Sequence, residues 1–235
     1  MPFSQEIAEK KQNIVTTLTE KSLLKQKVYD NTLQSFSIIK EILKTLSADL
    51  NKDVAALDPR IKLIFDDRSP FDAQIKVAGD LILFTMHSNI FQFDREHPTW
   101  KSPYIQKNKL NSYFGVINIY NFLADSFKYS RMDDLGYLIA RIFINHDNQY
   151  FVEGKRQMAL LFTNFGNDPI TKEALQRIIC TSIQYSLDFD LLVPPYDTVK
   201  IATVGQAETK IQHARLATGK RLGFQFNSDD VLNET

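Results

Sequence analysis

Apolar residues recur at three- and four-residue steps through the first quarter of the chain. Ile14, Leu18, Leu24, Val28, Phe36, Ile39, Leu43, Leu46 and Leu50 are separated by Lys, Glu and Gln, with no Gly or Pro between Ser4 and about Leu57. This is the spacing of one helical face. A single helix over that span would run roughly 75 Å at 1.5 Å per residue, longer than a domain of this size is wide, so it needs a partner. Lys21 and Ser22 interrupt the stripe between Leu18 and Leu24, which also allows two shorter helices meeting there. Asp58-Pro59 closes the segment, because the residue before proline is pushed out of the helical region.

The period then changes. Ile61 to Phe65, Gln74 to Val77, Leu81 to His87 and Ile90 to Phe93 are short β-prone runs parted by the turn dipeptides Ser69-Pro70, Gly79-Asp80 and Ser88-Asn89. A two-residue turn at Ser88-Asn89 predicts Met86 opposite Phe91 and Phe84 opposite Phe93. Arg95 to Asn111 reads as a long irregular connection. Phe114 to Phe127 carries a helical stripe at Val116, Ile119, Tyr120, Leu123 and Phe127, but its β-branched and aromatic content favours a strand. Leu135 to Asn145 and Gln149 to Glu153 predict a hairpin turning at His146-Asp147-Asn148, with Ile142 opposite Glu153, and Gln157 to Phe162 a further strand. Asp168-Pro169 predicts the start of a helix whose face is Leu175, Ile178, Ile179, Ile183 and Leu187, ended by Pro194-Pro195. The tail predicts a strand from Val199 to Val204, a helix from Gln206 to Ala217 capped by Gly219, and a last run from Leu222 to Phe226.

These elements add up to an α+β protein: an N-terminal long helix or helical hairpin, a mainly antiparallel sheet of about 7–8 strands, and C-terminal helices packing on the sheet. Three segments follow: a helical arm over 1–57, an antiparallel α+β domain over 58–195, and a C-terminal extension over 196–235.

Composition narrows the class. Of 235 residues 43% are hydrophobic and 24% charged, ordinary values for a globular chain. The net charge of zero argues against a dedicated binder of nucleic acid or anionic membrane. The one cysteine, Cys180, can form neither an internal disulfide nor a thiolate metal cluster, and it falls within a predicted helix where an inert thiol is expected. Met1 to Lys27 lacks an apolar signal core, and no span reaches the roughly 18 apolar residues a bilayer crossing needs. The expectation is a cytoplasmic protein with no membrane partner.

Four constellations carry potential chemistry. Asp94, Glu96 and His97, with His87 upstream, form the densest group of metal-type ligands, although the Ser88-Asn89 hairpin would hold His87 and Asp94 roughly 13 Å apart at 3.3 Å per residue. Glu153-Gly154-Lys155 matches half of a magnesium-dependent nuclease site, for which Asp94, Asp125 or Asp134 would supply the second carboxylate. Lys101, Tyr104, Lys107, Lys109 and Tyr113, with Lys128, Tyr129 and Arg131, interleave cations and rings as a single-strand nucleic-acid surface does. Trp100 is a candidate anchor for a small ligand held over the sheet under the Arg95 to Asn111 loop. Thr218-Gly219-Lys220-Arg221 lacks the early glycine and the hydroxyl of a phosphate-binding loop, and there is no G-x-S-x-G elbow. No cofactor is implied.

The segments Val77-Ala78-Gly79-Asp80-Leu81, Phe93-Asp94-Arg95-Glu96-His97-Pro98 and Phe151-Val152-Glu153-Gly154-Lys155-Arg156 resemble hypothetical proteins of Bacteroidota genomes. That resemblance implies a bacterial source and no particular activity.

The leading expectation is a non-enzymatic binding or regulatory homo-oligomer, such as a dimer, that associates through its N-terminal helix and binds a protein partner or small ligand. The apolar spacing between Leu24 and Leu50 spans more than three heptads, with Asn31 and Ser35 on or beside the seam. A metal-dependent hydrolase or nuclease using Glu153, Lys155 and Asp134 or another acid is the alternative. Single-stranded nucleic-acid binding is third and the less expected.

Overall fold

The computed structural model describes residues 3–54, 56–132, 134–154, 165–188, 196–201 and 203–205. The N-terminal stripe forms one unbroken helical rod: α1 (Phe3–Thr17), a π-helical turn (Leu18–Ser22) and α2 (Leu23–Val54). The turn falls where the apolar stripe weakens. There the hydroxyls of Thr17 and Thr19 donate to the carbonyls of Asn13 and Val15, each at 2.9 Å, bonds that compete with the helical ladder. A π turn carries one extra residue, which rotates whatever precedes it by about 100° relative to an unbroken helix. The apolar line of α1 is thereby turned off the line of α2.

Six strands follow: β1 (Ile64–Ser69), β2 (Asp72–Val77), β3 (Asp80–Met86), β4 (Gly115–Leu123), β5 (Tyr137–Ile144) and β6 (Tyr150–Gly154). They lie in the order β1-β2-β3-β4-β5-β6, every neighbour antiparallel, a pure meander. The sheet thus has six strands rather than the larger number expected; the predicted strand over 157–162 lies outside the described residues, as do the predicted tail elements from 206 onward. Short helices α3 (Pro103–Lys107) and α4 (Ala124–Lys128) interrupt the connections, and α5 (Lys172–Leu187) and α6 (Tyr196–Val199) follow the sheet. Tyr196–Val199 is helical, so the strand that the sequence predicts from Val199 does not start there. None of the described helices is long and apolar enough to cross a membrane.

One face of the sheet is closed by α2 and α5. Ala73, Ile75, Val77, Ile82, Phe84, Met86, Ile117, Ile119, Ile142, Ile144 and Val152 point into a core completed by Phe36, Ile39, Ile42 and Leu43 of α2 and Leu175, Ile178, Ile179 and Ile183 of α5. Leu187, expected on that face, is half exposed. Within the Leu24 to Leu50 stripe, Phe36, Ile39 and Leu43 are therefore buried against the protein's own sheet and α5, while Leu50 is exposed. Asn31 shows why polar residues sit on the stripe: its amide donates to the carbonyls of Asn145 and His146, at 3.0 and 2.9 Å, satisfying two groups of the β5-β6 turn. At the far end of α2, the Asn51 side chain donates to the Leu63 carbonyl at 2.8 Å and accepts from its amide at 2.9 Å, fastening the entry to β1.

Local boundaries moved in three places. The β3 run pairs with β4, Met86 facing Ile117 and Phe84 facing Ile119, so the expected hairpin with Ile90 to Phe93 does not form. β4 offers a partner of nine residues with an apolar inner face, against a run of four; Phe91 keeps only a single bridge to Phe114. In the β5-β6 hairpin Glu153 faces Arg141, not Ile142: residues 146–148 form the turn, with Asn148 left-handed (φ 59°), and counting back from the Ile144–Tyr150 pair brings Arg141 opposite Glu153. The C-terminal helix begins at Lys172 with Thr171 as its cap, whose hydroxyl accepts from the Ala174 amide at 3.2 Å; Pro169 instead bridges to Gln149.

Helix and sheet approach closely at Gly115, where an added Cβ would stand 2.0 Å from Thr32 Oγ1 and 2.8 Å from Thr32 Cβ. We predict that Gly115→Ala lowers stability by about 1–3 kcal/mol, the usual cost of overpacking. Adding Thr32→Ala should recover part of that loss. Urea unfolding of the single and double variants measures both; equal stability of Gly115→Ala and wild type would show that α2 can move away.

Candidate functional site

With the inner face filled, the outward positions of β4, β5 and β6 still carry Val116, Phe143 and Phe151. Alternation along a strand makes this inevitable, since each is flanked by inward residues of the main core. The connection from His87 to Phe114 folds back over them. Phe93, Phe114, Phe143, Phe151 and Phe165 meet at centroid distances of 4.8–6.2 Å in mostly edge-on or tilted pairs, and Ile105, Trp100 and Tyr104 complete this second core.

Tyr104 ties the cover to the sheet and Trp100 braces it internally. Tyr104 Oη donates to Asp147 at 2.6 Å and accepts from the Asn145 amide, at the tip of the β5-β6 turn. Burial and the Asp147 carboxylate push its pKa up to about 12, so it stays a neutral donor at physiological pH. Trp100 sits in a 3-10 turn (Pro98–Lys101), its indole N–H donating to the Phe93 carbonyl at 3.2 Å with the Arg95 guanidinium 4.0 Å above its ring. Trp100 thus anchors the cover itself, one step removed from the position expected of a ligand anchor.

Where the cover stops, a cavity of about 350 Å³ opens, lined by His87, Phe91, Gln92, Phe93, Asp94, Val116, Asn118, Arg141 and Phe143. Its floor is the sheet. Asn118 and Arg141 are direct partners across β4 and β5, so both project from rigid strands on the outer face. Arg141 lies 5.3 Å from the Phe143 ring centroid, and its Nη2 donates to Glu153. The other carboxylate oxygen of Glu153 meets His97 Nε2 at 3.3 Å, and the His97 ring stacks on Phe93 at 4.0 Å. The opposite imidazole nitrogen receives the amide and hydroxyl of Thr99, capping the 3-10 turn. A row of contacts therefore runs from Thr99 through His97 and Glu153 to Arg141.

Two of the sequence candidates are brought together and the rest are not. His97 and Glu153, considered for different chemistries, are in contact. Asp94 lines the cavity and accepts from the Glu96 amide at 3.0 Å, while His97 turns away toward Glu153. Among the described residues no group of three or more His, Cys, Asp or Glu side chains is placed to hold a metal ion. His87 and Asp94 line the same cavity, reached by a bent chain and not by the expected hairpin. Asp134 pairs with Arg131 and accepts from Ser126 Oγ beyond the other end of β4, and Lys155 lies outside the described residues. Of the aromatic and basic residues, Tyr104 is tied to Asp147, and Tyr113 is buried beneath Lys21 and Lys25, leaving neither ring open to a base. Lys128 lies 5.0 Å from the ring centroid of Tyr129. Cys180 lies on α5, where burial raises its pKa above the ordinary thiol value.

Arg141 and Asn118 escaped the sequence reading. Their signal was present: each is a strongly polar residue between apolar neighbours, Ile117 and Ile119 in one strand, Ala140 and Ile142 in the other. Comparisons of the chain with protein-family models, curated sequences and solved structures found no match.

His146, at the turn that holds the cover, is pushed down in pKa by burial and by Lys27, against the opposing pull of Asp147. Its Nδ1 is buried and meets no hydrogen-bond partner among the described residues. A depressed base binds its proton more weakly in the fold than in the unfolded chain, whose histidine titrates near 6.5. Its share of stability is therefore complete above about pH 6.5 and declines as pH falls below that value. We predict that the urea midpoint drops between pH 7.5 and 5.5, and that His146→Gln reduces the drop. An unchanged pH slope in the variant would assign the effect elsewhere.

Proposed function

We propose that this protein is a non-enzymatic binding protein of the cytoplasm, which takes a small ligand in the cavity on the outer face of its sheet and associates with a second copy through its helical arm. The observation that carries the ligand reading is the cavity itself: phenyl walls, a floor of strand residues, and the Arg141 guanidinium fixed beside it by Glu153. Such a concave, largely apolar site with a few convergent polar groups is the usual form of a ligand pocket. Glu153 and His97 are occupied in holding Arg141 and Phe93, a positioning duty rather than a reactive one.

Support for self-association comes from α1. Residues 5–21 are exposed throughout, and Ile7, Ile14, Val15 and Leu18 lie open on them. On a helical wheel Ile7, Ile14 and Leu18 fall within one face, with Val15 at its margin. The arm carries Glu6, Glu9 and Glu20 against Lys10, Lys11 and Lys21, so it does not repel a copy of itself. Antiparallel pairing would set the acidic start of one arm against Lys21 and Lys25 at the base of the other, an arrangement that favours a second copy over an acidic or basic partner.

The expected native mass is twice the 27.1 kDa of one chain at micromolar concentration. Ile14→Lys with Leu18→Lys, both exposed and therefore harmless to the core, should return it to one chain. A monomeric wild type would end the association half of the reading and leave the ligand half standing.

A further inference from the structure

We infer that the outer-face cavity is built for a small aromatic carboxylate, its acid group on Arg141 and Asn118 and its ring against Phe91, Phe93 and Phe143; this rests on the ligand-binding reading above. Size is the first argument. At about 350 Å³ the cavity lies at the small end of ligand pockets, room for one ring system with a short substituent and too little for a nucleotide or a lipid chain.

The walls give the ring. Phe91, Phe93 and Phe143 line the cavity with Val116 beneath them, and a flat aromatic body can meet three phenyl rings by offset or edge contacts that a branched aliphatic one cannot. These walls are held. Phe91 is braced edge-on by His87 at 4.7 Å, and the His87 ring accepts the Asn89 amide at 3.0 Å. Phe93 is clamped between the His97 ring at 4.0 Å and Phe143 at 4.8 Å.

The polar end gives the acid. Arg141 is only partly covered, its side chain 43% exposed, and the bond to Glu153 is made from one terminal nitrogen. A guanidinium has five N–H donors in a planar fork, so one bond to Glu153 holds the head group near the cavity while leaving donors for a carboxylate. Asn118, across the register, adds amide N–H groups on the same face. Glu153 offsets the charge of Arg141, which makes the grip depend on hydrogen-bond geometry more than on bare attraction, and geometry is what a bidentate carboxylate supplies. Asp94 on the same lining provides a site for an ammonium group. Two sources thus share the chemistry: an arylacetic type of acid, or an aromatic α-amino acid that uses Asp94 as well.

The test measures binding of indole-3-acetate, L-tryptophan, tryptamine and indole to the full chain by calorimetry and ligand-detected NMR at pH 7.5. The expected result is that one or both acids bind about tenfold or more tighter than indole and tryptamine, the usual worth of hydrogen bonds to a charged group. Arg141→Gln should remove that preference and leave indole unchanged. Asn118→Leu, which leaves the Arg141–Glu153 pair intact, should weaken the acids in the same direction and covers the case in which the arginine variant fails to fold. Tighter binding of L-tryptophan than of indole-3-acetate, erased by Asp94→Asn, supports the amino acid; equal or reversed affinities support the simple acid. Indole or tryptamine binding as tightly as the acids, or acids binding equally to wild type and both variants, overturns the carboxylate assignment but keeps the pocket. No binding of any of the four probes at millimolar concentration overturns the assignment and the ligand reading together.

Discussion

The close approach of α2 to β4 at Thr32 and Gly115 fixes the spacing between the helical layer and the sheet, and the remaining architecture follows from that spacing. Only a residue without a Cβ lets the helix settle there, and once it has settled Val28, Phe36, Ile39 and Leu43 are fully buried along its length. α5 then fills the space beside it. Asn31 joins the same contact to the β5-β6 turn by bonding two of its carbonyls, so the depth of the helix and the position of the turn are coupled.

A filled inner face leaves the outer one to be dealt with. Strand alternation sends Phe143 and Phe151 outward, and two exposed phenyl groups next to Val116 are a liability in water. The 28-residue connection between β3 and β4 answers it by folding an aromatic cover over the last three strands, tied to the β5-β6 turn by Tyr104 and braced within itself by Trp100. The cover ends before the sheet does. The cavity is what lies at that margin, and two of its polar residues, Asn118 and Arg141, are strand residues, held to the tolerance that a sheet gives and a loop does not.

Much of the fold could be read from periodicity because the elements that decide it are long. The rod, the strand character of Gly115 to Leu123 and the apolar face of α5 are each repeated over several residues, so single exceptions do not mislead. Pairing was harder. Nothing in Ile90 to Phe93 marks it as cover and not strand; that choice depends on β4 being the better partner for β3, a comparison between segments 30 residues apart in the chain. The site suffered more. Arg141 and Glu153 face each other only in the register set by a three-residue turn over 146–148, and a one-residue slip moves every side chain to the opposite face. The association of His97 with Glu153 was out of reach for the same reason: it needs the cover to be laid on the sheet before the two residues are neighbours.

The first strand of the meander has a part to play that concerns the company the protein keeps. β1 is an edge, mostly open to solvent, and it carries Asp66, Asp67 and Arg68 in succession with an irregularity between Asp67 and Ser69. Lys40 of α2 reaches across it to Asp67 and to the Ser69 carbonyl at the end of the strand. A foreign strand seeking to add itself there would meet charge and a kink, devices by which sheet proteins avoid runaway polymerisation. Concentrated solutions of this protein should for that reason resist fibre formation along this border, whatever its helices do.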